Sequence, residues 1–126
     1  MAVSPQFAVT PRLSIVQASG ANTATDGTGT LATLITAGSS GTKIYEVVVD
    51  AVSTTTAGMV RLFVNDGTNN RLFDEFNVSA TIASSTVPTF RTSKSYSNLV
   101  LPSGYGLRAS THNAETFNVY AFGADL

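Results

Sequence analysis

The 126-residue chain contains no cysteine, no tryptophan and a single histidine, His112. Without cysteine, a disulfide framework, a thiolate metal site and a cysteine nucleophile are all excluded. Charged residues make up only 12% of the chain, and the formal net charge is −1, with the lysines and arginines scattered singly. No basic stripe is available to neutralise a phosphate backbone, so we expect no nucleic-acid partner.

Long apolar runs are also missing. No segment approaches the ~20 residues that a membrane-spanning helix needs. The N-terminal stretch has no basic region, and prolines interrupt it at Pro5 and Pro11, so we expect neither a membrane partner nor an export signal. Residues 1–12 show no clear period and contain the isolated Phe7. They are either a disordered start or an extended arm that orders on a neighbour, followed by a single domain over 13–126.

Residues that favour strands dominate the rest of the chain, and helical periodicity is absent. Clusters rich in glycine, serine, threonine and asparagine separate the apolar segments and predict turns. Strands are predicted at 13–17, 31–36, 43–53, 59–65, 71–78, 87–92, 98–101, 106–111 and 116–122. Eight or nine short strands at this spacing predict an all-β fold, an antiparallel β-sandwich of the jelly-roll type.

The segment GMVRLFVNDGTNNRLFDEFNV predicts a hairpin centred on Thr68. The expected cross-strand pairs are Val64 with Leu72, Val60 with Phe76, Phe63 with Phe73, and Arg61 with Glu75. Phe63 and Phe73 would then share one face. That face is either incidental surface apolarity, the second face of a sandwich, or an interface with another subunit.

Asp74 falls on the apolar face of the same hairpin. We expect it near a sheet edge or paired with an arginine such as Arg91 or Arg108, and not in catalysis.

A second alternating unit, YGLRASTHNAETFNVYAFG, predicts a closing hairpin. One parity holds Tyr105, Leu107 and Ala109 on the first strand and Phe117, Val119 and Ala121 on the second. Tyr120 and Phe122 fall on the opposite face. We therefore expect them, with Phe7, Phe63 and Phe73, to contribute to an interface.

Residues that could carry catalysis form no suggestive pattern. His112 lies in a predicted turn, STHNAE, and we interpret it as an exposed loop residue and not as part of a triad. The acidic residues show no paired spacing, and the glycine-rich TDGTGT lacks the ending of a phosphate loop. We expect no enzyme activity, no metal and no cofactor.

The segment NLVLPSGYGLRAST is the remaining candidate for an active-site loop. Pro102 cannot donate a ladder hydrogen bond, so a strand should end at Leu101, and Gly104 allows a reversal with positive φ. The segment is therefore interpreted as a corner between strands. Arg108 then faces away from the core, where it could meet an acid or a neighbouring subunit.

The closing stretch, LVLPSGYGLRASTHNAETFNVYAFGADL, resembles the C-terminal half of small all-β proteins encoded among the head genes of tailed bacteriophages. The segment LPSGYGLRAS and the tail AFGADL carry the likeness, which covers 87–126 and, more loosely, 43–77. The family it indicates is the head decoration, or cement, proteins.

That resemblance implies a structural virion protein. It would bind the outer surface of the head as a homotrimer, reinforce contacts between major capsid subunits, and be made in the host cytoplasm. The alternative is a receptor- or carbohydrate-binding jelly roll of a tail, fibre or baseplate, with Tyr105, Tyr120 and Asn118 as sugar-contacting residues. A hydrolase is a third possibility, which rests only on the residue types present.

Overall fold

The computed structural model describes residues 10–126, which form eight β-strands and no helix. The strands are β1 Thr10–Ala18, β2 Ala32–Thr36, β3 Thr42–Ala51, β4 Gly58–Asn65, β5 Asn70–Val78, β6 Arg91–Leu101, β7 Gly106–Thr111 and β8 Phe117–Asp125. This part of the chain has no helix with the length and apolarity that crossing a membrane requires.

Two four-stranded sheets pack as a sandwich. Sheet 1 has the strand order β1-β8-β3-β6 and sheet 2 the order β2-β7-β4-β5, with every neighbouring pair antiparallel. The pairs β1–β8, β2–β7, β3–β6 and β4–β5 describe one long antiparallel hairpin rolled across both sheets. This is the jelly-roll arrangement, so the predicted β-sandwich is confirmed, with eight strands.

The core lies between the sheets, where alternate residues of each strand point inward. The predicted core parity of the closing hairpin is confirmed, because Leu107, Ala109 and the inward residues of β8 are fully buried and Tyr105 packs against them. The largest buried apolar side chains of this cluster are Ile44, Val47, Val49, Val60, Leu62, Phe76, Leu101, Leu107, Phe117 and Val119.

The β4–β5 hairpin forms where it was predicted, with a change of register. Two of the four predicted pairs are confirmed: Val60 with Phe76, and Arg61 with Glu75. The other two are wrong, because a bulge adds one residue to β5. Phe63 lies opposite Leu72 instead of Phe73, and Val64 lies opposite Arg71.

Strand β6 corrects the prediction of two separate strands at 87–92 and 98–101. It runs unbroken from Arg91 to Leu101 along β3, through a polar stretch that reads as a loop. The stretch is a strand because two of its inward side chains, Lys94 and Tyr96, bind Asp74 across the sandwich. The ladder with β3 satisfies its backbone groups.

The Pro102 corner is a turn between β6 and β7. Leu101 ends β6, the Tyr105 N–H donates to the Pro102 carbonyl at 3.0 Å, and Gly104 has a φ of 86°. A positive φ at the third position of such a turn is typical of type II. The predicted strand corner is therefore confirmed.

The segment between β1 and β2, residues 19–31, reaches across the outer side of sheet 2. Its start is held at the end of β7, where the Asn22 N–H donates to the Thr111 carbonyl at 2.8 Å. Its tip abuts the start of β5, since a Cβ on Gly27 would clash with the carbonyl oxygen of Asn70. The outward residues of sheet 2 between these two points are thereby covered.

The predicted N-terminal arm, 1–12, lies mostly outside the described residues, and Phe7 lies outside them. The last three residues of that range, from Thr10 to Arg12, are the first residues of β1, where they pair with the end of β8. The first strand of the domain therefore begins earlier than the predicted start at Leu13.

Candidate interaction surface

The outer face of sheet 1 carries a cluster of exposed apolar side chains, which we call the β1–β8 patch: Leu13, Ile15, Tyr120 and Phe122. Strand pairing sets Leu13 directly opposite Phe122 and Ile15 directly opposite Tyr120. Leu13 and Ile15 are each 56% exposed and Phe122 is 36% exposed. The rings of Tyr120 and Phe122 lie nearly parallel, with centroids 6.4 Å apart and an interplanar angle of 17°.

Strand alternation places these four side chains together. The inward residues of β8 are buried in the core, so every second residue must point outward. On β1 the inward positions include Val16, which packs against the core, and this leaves Leu13 and Ile15 on the outside. Cross-strand neighbours of this kind lie about 4.5–5.5 Å apart at Cβ, which makes the patch continuous.

Polar groups border the patch without entering it. At one end the Gln17 side-chain amide donates to Asn118 Oδ1 at 3.1 Å, at the next pair on the same face after Ile15 and Tyr120. On the β3 side Glu46 lies opposite Phe122. The patch itself contains no charged side chain, and its polar side-chain group is the hydroxyl of Tyr120.

The sequence placed Tyr120 and Phe122 on an outward face, and the structure brings them together there. The sequence pattern does not identify the other two residues of the patch, Leu13 and Ile15. Their alternation in LSIVQ was a usable signal, but Val16 supplies an apolar residue of the other parity, so the pattern alone did not say which parity faces the core.

The prediction that Phe63 contributes to an interface is not supported by its position in the structure. It is 0% exposed although its parity places it on the outer side of sheet 2, outside the main core cluster. The segment 19–31 crosses that side of the sheet and accounts for the burial. The side chain therefore offers no surface to a partner.

Phe73 remains accessible at the opposite edge of the sandwich. It is 42% exposed and its ring centroid lies 5.5 Å from that of Tyr96. With residues 95–99 of β6 it lines an open groove of about 340 Å³. Phe73 and the β1–β8 patch thus lie at different edges of the molecule.

At that edge, Asp74 of β5 links the two sheets through hydrogen bonds to two side chains of β6. It accepts hydrogen bonds from Lys94 Nζ at 2.8 Å and from the Tyr96 hydroxyl at 2.9 Å. The predicted position near a sheet edge is confirmed, since β5 is an edge strand, but the partner is a lysine and not an arginine.

These contacts shift the pKa values of Asp74 and Tyr96. Burial acts to raise the pKa of Asp74, but the hydrogen bonds from Lys94, Tyr96 and the Glu75 backbone N–H outweigh it, and the pKa lies below its ordinary value. The pKa of Tyr96 is raised by burial and by its hydrogen bond to the Asp74 carboxylate. At neutral pH the edge therefore holds an ionised Asp74 and a neutral Tyr96.

Arg108 lies on the outer side of sheet 2, opposite Phe63, as its parity predicted. It is half-buried, and within residues 10–126 its Nε has no hydrogen-bond partner. No acidic side chain of the described part of the chain forms an ion pair with it. Its predicted acid partner is thus not found among residues 10–126.

His112 follows the end of β7 and is half-buried, not fully exposed as expected. Its Nδ1 lies 3.3 Å from a terminal nitrogen of Arg61, which pairs with Glu75 at 3.4 Å. His112 thus lies beside the Arg61–Glu75 ion pair. Across the described strands and loops, no three acidic or histidine side chains come together to hold a metal ion.

Comparisons with known proteins add little to this geometry. No family model matches the chain, and no curated protein matches it. A chain of the solved structure titled "Cyanophage Pam1 capsid asymmetric unit" aligns with 17% identity and a TM-score of 0.42, covering 100% of this chain and 94% of that chain. Identity and TM-score of this size do not transfer a function, so the proposal rests on the residues of the chain itself.

Proposed function

We propose that the chain is a structural protein of a tailed-phage virion, specifically a decoration protein. In this proposal it binds the outer surface of the head as a homotrimer and reinforces contacts between major capsid subunits. It is made in the host cytoplasm and acts without catalytic activity, cofactor, nucleic acid or membrane. The resemblance of its closing stretch to decoration proteins suggests this role, and the surface supports it.

The observation that carries the proposal is the uncharged, exposed β1–β8 patch on a small jelly roll. Burying a large apolar side chain completely is worth about 1.5–3 kcal/mol. Leu13 and Ile15 are each 56% exposed, so a partner would gain roughly 1 kcal/mol from covering each of them. The patch can therefore hold a permanent neighbour, and it offers no arrangement for chemistry.

Low charge fits the same role. With a net charge of −1, the chain supplies little repulsion between copies and few groups to steer a charged ligand. A decoration protein gains affinity instead from many identical copies on a symmetric lattice. Modest contacts then act together through high effective concentration.

Sedimentation tests the proposal directly. Heads of the encoding phage are prepared from a deletion of this gene, mixed with purified protein and pelleted. We expect the protein to pellet with the heads at a saturable, fixed ratio and to raise their resistance to heat or chelator. Absence from the pellet over a range of salt concentrations contradicts a decoration role.

A second candidate is a receptor- or carbohydrate-binding module, favoured by the flat platform of Tyr120 and Phe122. The Gln17–Asn118 amide pair lies beside it and could bond to sugar hydroxyls. Tyr105, which was also expected there, packs against the core instead. Binding on a glycan array that is lost in Tyr120→Ala, together with no binding to heads, would select this candidate over decoration.

A further inference from the structure

We propose that the β1–β8 patch is the contact between copies of this chain, and that the head contacts a different surface. The inference rests on the proposed homo-oligomeric decoration protein and assigns a partner to one of its faces. It is carried by a difference between the edges of the two sheets and by the chemistry of the patch.

The sandwich has four edge strands, and three of them carry a bulge or a register irregularity, which discourages pairing with another chain. Strand β2 is five residues long and contains a bulge. Strand β5 has a bulge and points Asp74 inward. Strand β6 has a register irregularity against β3 and points Lys94 inward. Bulges and inward charges are common protections of free edges.

Strand β1 contains no bulge, and its proline, Pro11, and its inward charge, Arg12, both lie within its first three residues. It pairs with β8 over nine residues in one unbroken register. Its one charged residue, Arg12, is engaged with Asp125 at 3.1 Å and with the Thr36 carbonyl. From Leu13 to Val16 the edge is regular and uncharged, and its outward side chains, Leu13 and Ile15, are apolar. Such an edge normally marks a site of association.

The occupant that best fits the patch is a second copy of the same chain. A patch without charge can be covered by an identical patch without burying an unpaired charge, and a net charge of −1 opposes self-association little. The Gln17–Asn118 pair and Glu46 form a polar rim around it. In a threefold assembly, the patches of the three copies converge on the symmetry axis, where each patch contacts the patches of both neighbours.

Two isoleucines provide a matched test. Ile15 lies in the patch, whereas Ile82 is 81% exposed in the segment between β5 and β6. Ile15→Lys and Ile82→Lys make the same chemical change and alter the net charge of the chain by the same amount. The molar mass of each protein is measured by light scattering after size exclusion, over a dilution series, and folding is checked by circular dichroism.

We expect wild type and Ile82→Lys to be trimers. For Ile15→Lys, the protein concentration at which half of the trimer has dissociated should be at least about 100-fold higher than for wild type, because each copy then buries an uncompensated ammonium group. Ile15→Thr, which retains a β-branched residue, should weaken the trimer less and serves if the lysine variant does not fold. An oligomer unchanged in both Ile15 variants overturns the inference, and so does a monomeric wild type.

Pelleting with heads separates this inference from the proposed function. A wild-type trimer that never binds heads, but dissociates in Ile15→Lys, contradicts decoration and supports the copy contact. An Ile15→Lys protein that stays trimeric and loses head binding supports decoration and overturns the inference, since the patch would then face the head.

Discussion

Replacing Tyr96 with phenylalanine removes one hydroxyl from the closed edge of the sandwich and leaves the ring in place. The hydroxyl donates to Asp74 Oδ2 at 2.9 Å, while the ring packs 5.5 Å from Phe73. Lys94 still binds the other carboxylate oxygen at 2.8 Å. The substitution therefore tests a single hydrogen bond to an ionised group.

A hydrogen bond to a charged partner is worth about 1.5–3 kcal/mol. The side chain of Asp74 is 24% exposed, so water compensates part of the loss, and we expect the lower end of that range. The free energy of unfolding should fall by about 1.5 kcal/mol, and the melting temperature by roughly 5 °C for a domain of this size.

Urea denaturation at fixed protein concentration measures this change, with an unchanged slope as the check that compactness is the same. Combining Tyr96→Phe with Asp74→Ala in a double-mutant cycle isolates the pair, and we expect a coupling free energy of about 1 kcal/mol or more. A coupling free energy near zero would refute the reasoning.

The pH dependence of the Tyr96→Phe effect gives a second check. Because the pKa of Asp74 is lowered, its contribution is present above about pH 4 and is lost as the pH falls through the folded-state value. Because the pKa of Tyr96 is raised, its contribution is present below about pH 10 and is lost at higher pH. The difference between wild type and variant should be constant from about pH 5 to pH 9.

Three further predictions concern other parts of the molecule. Gly27→Ala should destabilise the protein by more than Gly104→Ala in thermal melts: both glycines have positive φ, but a Cβ on Gly27 would clash with Asn70, whereas a Cβ on Gly104 meets no atom within 4 Å. Equal losses would show that backbone strain alone matters. The free energy of unfolding should fall as the pH drops below about 4, because hydrogen bonds from Thr42 and Arg12 lower the pKa of Asp125; Asp125→Asn should flatten the acid limb, and an unchanged limb would contradict this. Arg108→Ala should leave the fold and the trimer intact and weaken pelleting with heads, since the half-buried Arg108 forms no ion pair among residues 10–126 and an acidic group of the head would supply one; unchanged pelleting argues against it.

The strand content and the corner at Pro102 were predictable because they depend on local chemistry. Alternation of apolar residues over Leu107–Ala109 and Phe117–Ala121 fixes which side of each strand is buried, and Gly104 supplies the positive φ of the turn. These features need no knowledge of distant residues. They also led to Tyr120 and Phe122, half of the candidate surface.

The remaining features depend on contacts between distant parts of the chain. The strand character of the polar stretch in β6 follows from partners on β3 and from Asp74. The burial of Phe63 requires the segment 19–31 to cross sheet 2, and the bulge beside it shifts the pairing by one residue. Ile15 could not be assigned to a face until the packing of its neighbour Val16 was known.

The pairing of the first described strand with the last one also governs how the protein can fold. Arg12 and Asp125 form an ion pair although they are 113 residues apart in the chain. During synthesis β1 has no strand to pair with until β8 has left the ribosome, so its backbone hydrogen-bonding groups and the inward-facing Val16 stay uncovered until then. Closure of sheet 1 is therefore a late, non-local event, and refolding should take milliseconds to seconds, as in other sheets of high contact order.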